Sequence, residues 1–398
     1  MSTFEVMVNI VNKIEPIEGR DFIVAAVIGE YRCVVAKSLD YKVGERVLYI
    51  PESAILPEWL ITGMGLEGKL AGSAKNRVKP IKLGGCVSQG LVVRFSDLIK
   101  FEGVTPEIKS VIADNCDKEK FQFAEILGIT KYVQQVPAHL AGEVANIGTN
   151  RTLYFDVENI KKYPIVLKNG ELVTLTEKLH GTCCEIGIYI SDNQEDSEMF
   201  TLDEDSNMKA FVATKTMSKN GLAFKNNDAN AKNLYVKNLI KNFADIKNLG
   251  HQYIEYLKTG EVTLYVLGEI FGPGVQDLNY GLSEPEFRIF AIAFKNHKND
   301  EVCWLDYATM SSIIKAYTTI TPVLLKGIIH YDYNTISEIA EENSETCEGK
   351  TQISEGVIAT PLINRKSEDL SPYLTRIIMK FVSNNYLFRK NKNASEFE

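Results

Sequence analysis

Four charged side chains stand where apolar strands should bury themselves: Lys178 in TLTEKLHGTCCEIGIYI, Glu269 in LYVLGEIFGPG, Glu355 in ISEGVIATP and Lys380 in RIIMKFVS. One such charge is ordinarily a snorkelling or paired residue at a strand edge. Two cations and two anions in ordered sequence point instead to one shared site. A lysine amine is a nucleophile only when neutral, and its ordinary pKa of about 10.4 keeps it protonated at neutral pH. A neighbouring cation such as Lys380, a bound divalent metal, or desolvation between strands would favour the free amine. Glu269 and Glu355 suit a hard cation such as Mg²⁺, held partly through its own water ligands.

The elements that must position these groups fall into two sets. The first hundred or so residues are dense in short strands: FEVMVNIVNKI, FIVAAVIGEYRCVVAKSL, VGERVLYIPESAIL and GCVSQGLVVRF, with turns at Glu18-Gly19, Gly29-Glu30, Val43-Gly44 and Gly84-Gly85. About five strands in that length suggest a small OB-like β-barrel over residues 1–110. Within it Lys75, Arg77, Lys79 and Lys82 form a basic cluster in sequence, which Arg32 and Arg94 could join from the same side of the barrel. It reads either as a solvated loop or as the edge along which a phosphate backbone runs. Residues 111–147 read as a linker, with a helix expected in TPEIKSVIADNCDKEKFQFAEILGI and a connection in QQVPAHLAG.

A second domain is expected over residues 148–390, followed by a frayed tail over 391–398. Its strands are interrupted by NAKNLYVKNLIKNFADIKNLGHQYIEYLK, where Leu234, Leu239, Ile240, Phe243, Ile246 and Leu249 approximate one apolar helix face. A further helix is expected over NTISEIAEEN. The fold class is therefore α+β, an OB-like barrel ahead of antiparallel sheets flanked by helices.

The motif KLHGT resembles motif I of the covalent nucleotidyltransferases, the ligases and capping enzymes. LGEIFGPGVQDLNYG resembles motif III, EFRIFAIAF motif IIIa, SEGVI motif IV and IMKF motif V, and His180 after the lysine is similar to a branch of RNA ligases. The N-terminal barrel is similar to the OB module of one family of ATP-dependent RNA ligases. The resemblance covers nearly the whole chain and implies an ATP-grasp-like nucleotidyltransferase domain. It implies that Lys178 attacks the α-phosphate of ATP, that AMP passes to an RNA 5′-phosphate, and that a 3′-OH displaces it, in RNA repair. Lys380 would contact the α-phosphate, while Glu269 and Glu355 would hold Mg²⁺ or Mn²⁺, Glu269 alternatively touching a ribose hydroxyl. Gly181 would let the backbone approach the nucleotide, Glu177 would lie next to the adenine edge, Phe271 or Phe287 would stack on the base, and Arg288 would aim a guanidinium at phosphate. Lys215 and Lys219 resemble basic positions that touch nucleic acid or nucleotide phosphates, and a solvated loop is the other reading. Many relatives carry a second motif V lysine where Val382 stands here, a contact that Arg376 or Arg389 could replace. The implied substrate is a nicked or splinted RNA duplex.

Composition sets the remaining bounds. Seven cysteines without a CxxC and five histidines without HxH or HxxxH spacing suggest neither a disulfide framework nor a zinc site. Cys183-Cys184 reads as buried strand rather than as a thiol nucleophile. No apolar run reaches membrane-spanning length and the N-terminus lacks a signal-peptide pattern, so a cytoplasmic monomer, in a cell or a virus-infected host, is the expectation. The net charge of −8 argues against coating nucleic acid by bulk charge. Two other readings stay open: a DNA ligase or capping guanylyltransferase, disfavoured by His180 and by the barrel preceding the catalytic domain, and a non-catalytic OB-fold RNA-binding protein.

Overall fold

The computed structural model describes residues 4–132, 141–367 and 376–389. Contacts divide the chain into two units, Met1–Gln134 with Glu158–Ile165 and Leu387–Glu398, and Gln135–Val157 with Val166–Tyr386.

In the first unit, β1 (Met7–Ile10) and β2 (Lys13–Ile17) form one bent edge, β1 pairing β5 (Arg46–Ile50) and β2 pairing β3 (Arg20–Ile28). Strand β3 turns at Gly29, whose φ of +58° a residue with a Cβ adopts poorly, into β4 (Tyr31–Ala36). A small hairpin of β6 (Ile81–Leu83) and β7 (Cys86–Ser88) leads to β8 (Leu91–Arg94), which pairs β5. Val34 N–H donates to Ser88 Oγ at 2.9 Å and Gln89 N–H to Arg32 O at 2.7 Å, closing the barrel in the five-strand order of an OB-fold. Val11, Ala26, Ile28, Cys33, Val47, Tyr49 and Val92 fill its interior.

The expected linker over 111–147 is corrected by this packing. Helix α1 (Pro106–Asn115) is capped by Thr105, whose Oγ1 accepts from Ile108 N–H at 3.3 Å, and it ends well short of the stretch expected to be helical. Beyond it Phe123, Leu127 and Ile129 are buried with Leu48 and Leu98, and Thr130–Lys131 pairs with Ala54–Ile55. The barrel unit therefore extends past residue 110 because those apolar side chains complete its core. The QQVPAHL part of the expected connection and the 391–398 tail lie outside the described residues.

In the second unit a seven-stranded sheet is built from β10 (Gly181–Ile190), β11 (Phe200–Asp203), β12 (Met208–Thr214), β13 (Val262–Phe271), β14 (Glu286–Asn296), β15 (Val302–Trp304) and β16 (Thr321–Pro322). Its order is β11-β12-β10-β13-β14-β15, with β16 added parallel to β14. A smaller sheet places β9 (Leu172–Glu177) between β17 (Leu325–His330) and β18 (Gly356–Pro361), and β19 (Met379–Val382) beside β18. Side chains alternate on β10. Cys184, Ile186 and Ile188 join a core with the helices, whereas Tyr189 joins a second core with Leu153, Phe155, Tyr265, Leu267, Ala291, Ala293 and Ile378.

The expected single helix face is also corrected. The insertion is broken at Asn242 (φ −101°, ψ 17°) into α2 (Leu234–Lys241) and α3 (Phe243–Gln252). Leu239, Ile246 and Leu249 are buried in one core with Leu234 and Phe243 packed against it, as expected, whereas Ile240 is 55% exposed and Tyr235 and Val236 are buried instead. The helix expected in NTISEIAEEN is α4 (Tyr333–Ala340). No helix among the described residues is long and apolar enough to cross a membrane.

Candidate active site

Lys178 occupies the connection between β9 of the smaller sheet and β10 of the larger. Its N–H donates to Gly356 O at 3.0 Å, which ties the connection to the start of β18. Its Nζ lies 2.7 Å from Oε1 of Glu355, a carboxylate with a side chain only 6% exposed. Across β10, Cys183 stands opposite Glu269, and Glu269 opposite Arg288 on β14, so Glu269 and Arg288 share one face of the large sheet. Burial pushes the Glu269 carboxyl up to about 8; Lys178 opposes that shift and Glu355 reinforces it. Lys178, Glu269 and Glu355 thus act on one another electrostatically, with Lys178 and Glu355 in direct contact.

Lys380 on β19 is buried and stands opposite Ile358 on β18, so both side chains leave the smaller sheet on one face. Ile358 and Phe290 both pack on the core between the sheets, which places Lys380 on the side that faces the large sheet. Phe290 reaches that side with help from a bulge: the register passes from Leu267↔Ala291 to Gly268↔Ile289, leaving Phe290 as the extra residue.

The expected base-stacking residues are corrected accordingly. Phe287 packs with Ile270 and Ile289 in the helix-side core, on the opposite face from Arg288. Phe271 is fully buried, edge-on to Tyr280 at 5.0 Å with Arg288 5.5 Å above it, and so supports the guanidinium. Partly exposed Phe290 is the aromatic on the site face, and alternation counted from Arg288 was the signal for it.

Glu177 is buried on the Val357 side of the sheet. Its Oε1 accepts from Ser344 Oγ, and its Oε2 accepts from Thr346 N–H and Oγ1, each at 3.0 Å. The carboxylate thus anchors residues 344–346, to which Arg288 adds a bond from Nη1 to Thr346 Oγ1 at 3.2 Å. Gly181 has a reason apart from a nucleotide: a Cβ there would lie 2.2 Å from Ile270 O of β13.

Several basic residues are placed differently from the expectation. Arg77 is buried, with its guanidinium 4.0 Å over the Tyr132 ring, so it is part of the barrel unit's packing and not a solvent-facing phosphate contact. Arg32 pairs with Glu15 at 2.8 Å and Arg94 pairs with Glu45. Lys75 and Lys82 are exposed and Lys79 is half-buried. Lys215 pairs with Asp156 at 2.6 Å and acts electrostatically on Glu269, whereas Lys219 is exposed beside the Tyr154 ring at 5.3 Å. Arg376 lies 4.4 Å over Trp304, and burial pushes it down to about 10; Arg389 belongs to the first unit.

A divalent cation fits the acidic pair. Glu355 Oε2 is buried without a hydrogen-bond partner among the described residues, and Glu269 is an acid that a cation would return to its charged form. Among the described residues no group of three His, Cys, Asp or Glu side chains could hold a metal, so phosphate oxygens and water must complete its shell, as Mg²⁺ prefers.

Behind Cys183 on β10, Glu185 is fully buried, with Oε1 accepting from Leu153 N–H at 2.9 Å. Burial pushes its carboxyl from 4.5 up to about 8, against the Leu153 N–H, Ser218 and Lys295. The folded state then holds a proton that the unfolded state releases, so this contribution to stability is full below pH 4.5 and is lost as pH rises to about 8. Glu185→Gln should match wild type in urea denaturation at pH 5 and exceed it by on the order of 2 kcal/mol at pH 8.5. Equal stability differences at both pH values would refute a neutral Glu185.

The RNA ligase family profile matches residues 171–382, just over half of the chain, and an OB-fold domain profile matches residues 6–95. Among solved structures, Naegleria gruberi RNA ligase with PPi aligns over 97% of this chain and 98% of its own, at 20% identity and a TM-score of 0.68. A variant of that ligase with AMP and Mn aligns over 97% and 98%, at 18% identity and a TM-score of 0.69. Another with ATP and Mn gives 96% and 98%, 19% and 0.68. No curated protein matches the sequence. At such identities the structural likeness is one of fold, extending through both units. The family profile runs from the residue before β9 to the last of β19 and so spans Lys178, Glu269, Glu355 and Lys380; the chain belongs to the RNA ligase family.

Proposed function

We propose that this protein joins RNA ends at the expense of ATP, with Lys178 as the residue that carries AMP. The observation that supports this most is the Lys178–Glu355 ion pair, its carboxylate buried and its lysine partly exposed, with Glu269 under the electrostatic influence of both, inside the span of the family profile. Lys178 Nζ attacks the α-phosphorus of ATP. An N–P bond forms, the bond to the bridging oxygen breaks, and pyrophosphate leaves while the amine loses its protons. Because Nζ begins as an ion-paired ammonium, it must leave Glu355 and give one proton to water before its lone pair can attack; a second proton goes to water as the N–H phosphoramidate forms. A divalent cation held by Glu269 and Glu355 would neutralise phosphate charge as the five-coordinate centre forms. Lys380 contributes positive charge at the α-phosphate from a buried position, where it is least screened, and Phe290 offers a ring face to the adenine.

An RNA 5′-phosphate oxygen then attacks the same phosphorus, breaking the N–P bond and returning the amine. The 3′-hydroxyl of the other end attacks the 5′-phosphate and expels AMP. The proposed substrate is a break held on a complementary strand, the proposed setting is RNA repair in the cytoplasm of a cell or infected host, and the enzyme works as a monomer. Exposed Lys75, Lys82 and Lys219 are the better candidates for RNA phosphates, since Arg77 is enclosed.

The test is to incubate the protein with Mg²⁺ or Mn²⁺ and α-labelled ATP or GTP, denature it, and then supply nicked RNA duplex to undenatured enzyme. Label from ATP together with a sealed strand is the expected result. Label from GTP would indicate capping chemistry, sealing of nicked DNA but not RNA a DNA ligase, and no label with retained RNA binding a non-catalytic protein.

A further inference from the structure

His180 enters none of these steps, yet both ring nitrogens are held. Nε2 lies 2.7 Å from Asp277 Oδ1 and Nδ1 lies 2.9 Å from the Tyr386 hydroxyl. The ring stands edge-on to Tyr386 at 5.1 Å and 71°, and the His180 N–H donates to Tyr280 OH at 2.6 Å. Nδ1 is also 3.8 Å from Glu355 Oε2, the oxygen that Lys178 does not use.

The three side chains come from segments far apart in sequence, two loops and a one-turn helix. His180 shares the β9–β10 connection with Lys178, and Asp277 follows β13. Tyr386 lies in the one-turn helix Asn384–Leu387 that follows β19, whose start is held by Glu341, which accepts from Asn384 N–H at 2.7 Å, Asn385 N–H at 3.1 Å and Ser383 Oγ at 2.9 Å. Ser383 N–H in turn donates to Glu355 O at 2.9 Å. The imidazole therefore joins the lysine connection to the segment that carries Glu355 and to the turn beyond Lys380.

An ionised carboxylate only accepts, so Asp277 favours the proton on Nε2, and in the neutral ring the Nδ1 lone pair is then the acceptor for the Tyr386 O–H. We propose that Asp277 and Tyr386 are positioning residues: by holding His180 as its Nε2–H tautomer between them, they keep Lys178 and Glu355 in register for attack on the nucleotide. This inference rests on Lys178 being the adenylylated residue. It adds two residues outside KLHGT, Asp277 within the stretch that resembles motif III and Tyr386 beyond the one that resembles motif V.

Two readouts test it, one of them independent of turnover. With ¹⁵N-histidine protein, two-bond ¹H–¹⁵N correlation spectra should show His180 as the Nε2–H tautomer, assigned by its disappearance in His180→Asn. Asp277→Ala should lose that signature, whereas Asp277→Asn, whose amide oxygen still accepts, should keep it. Single-turnover labelling with saturating ATP should slow roughly 10- to 100-fold in Asp277→Ala and Tyr386→Phe, as expected for a displaced reacting group. The ATP concentration at half-saturation should change less than about twofold, and Asp277→Asn should recover most of the rate. A wild-type Nδ1–H tautomer, or an Asp277→Ala protein that labels at the wild-type rate, would overturn the proposal. Absence of label in the wild type is a different result: it removes the proposed adenylylation itself, while the spectra still decide whether Asp277 sets the tautomer.

Discussion

Lys178→Ala should transfer no measurable label from α-labelled ATP to the protein, a loss of at least about a thousandfold, because removing a covalent nucleophile leaves no group to take its place. Truncation alone does not identify the nucleophile, since it also strands Glu355, whose side chain is 6% exposed and whose Oε2 already lacks a hydrogen bond. An uncompensated buried carboxylate costs about 3–5 kcal/mol. Lys178→Arg separates the two effects. A guanidinium can still pair with Glu355 but stays protonated at any working pH, so this variant should unfold near the wild-type urea midpoint and still form no adduct. Adduct formation by either variant, read as label on the denatured protein, would move the nucleophile elsewhere in the cleft. A second test follows from the same pair. Combining Lys178→Ala with Glu355→Gln should restore much of the stability lost in the single variant and none of the labelling.

The four charges of this site were legible because each violates its surroundings locally: a lysine or glutamate in an apolar strand is conspicuous in any window of ten residues. What tells their roles apart is not local. Asp277 and Tyr386 meet His180 across 97 and 206 residues of chain, and nothing near KLHGT announces them. Phe287 and Phe290 look alike in EFRIFAIAF, and only the face shared with Arg288 separates a core residue from one on the site side. Arg77 seemed to belong with its basic neighbours, because sequence spacing carries charge but not the direction of a side chain that ends over Tyr132.

Domain limits failed for a related reason. The strands and turns of the barrel were plain, and their pairing gives the expected OB-like topology. Phe123, Leu127 and Ile129 follow a helix and an acidic, lysine-rich stretch that resembles a linker, yet the core around Leu48 needs them for closure. Packing also chose between neighbours in α2, where Tyr235 and Val236 are buried and Ile240 is 55% exposed, a choice that periodicity alone does not make.

Gly356→Ala should be among the most damaging single-atom additions in the second unit. Gly356 has φ +141°, and a Cβ there would fall 1.9 Å from Phe381 O on the paired strand. Neither partner can yield cheaply, because both are backbone: β18 would have to part from β19, where Gly356 stands opposite Val382. A cost of about 3 kcal/mol or more is expected, larger than strain at a single left-handed residue alone. The control is Gly170→Ala, where φ is +81° but the space around the Cβ is open, so only the backbone penalty of about 1–2 kcal/mol applies. Urea denaturation should therefore rank the two variants clearly, and equal losses would mean that the β18–β19 contact is looser than drawn. The same substitution reaches the chemistry, because Gly356 O accepts the Lys178 N–H and Glu355 is the preceding residue. Prying this strand from its neighbour displaces the lysine, its carboxylate partner and the strand of Lys380 together. Labelling by Gly356→Ala should accordingly fall by about 100-fold or more even under conditions where the protein remains folded, whereas Gly170→Ala, with its normal Lys178 connection, should label at nearly the wild-type rate.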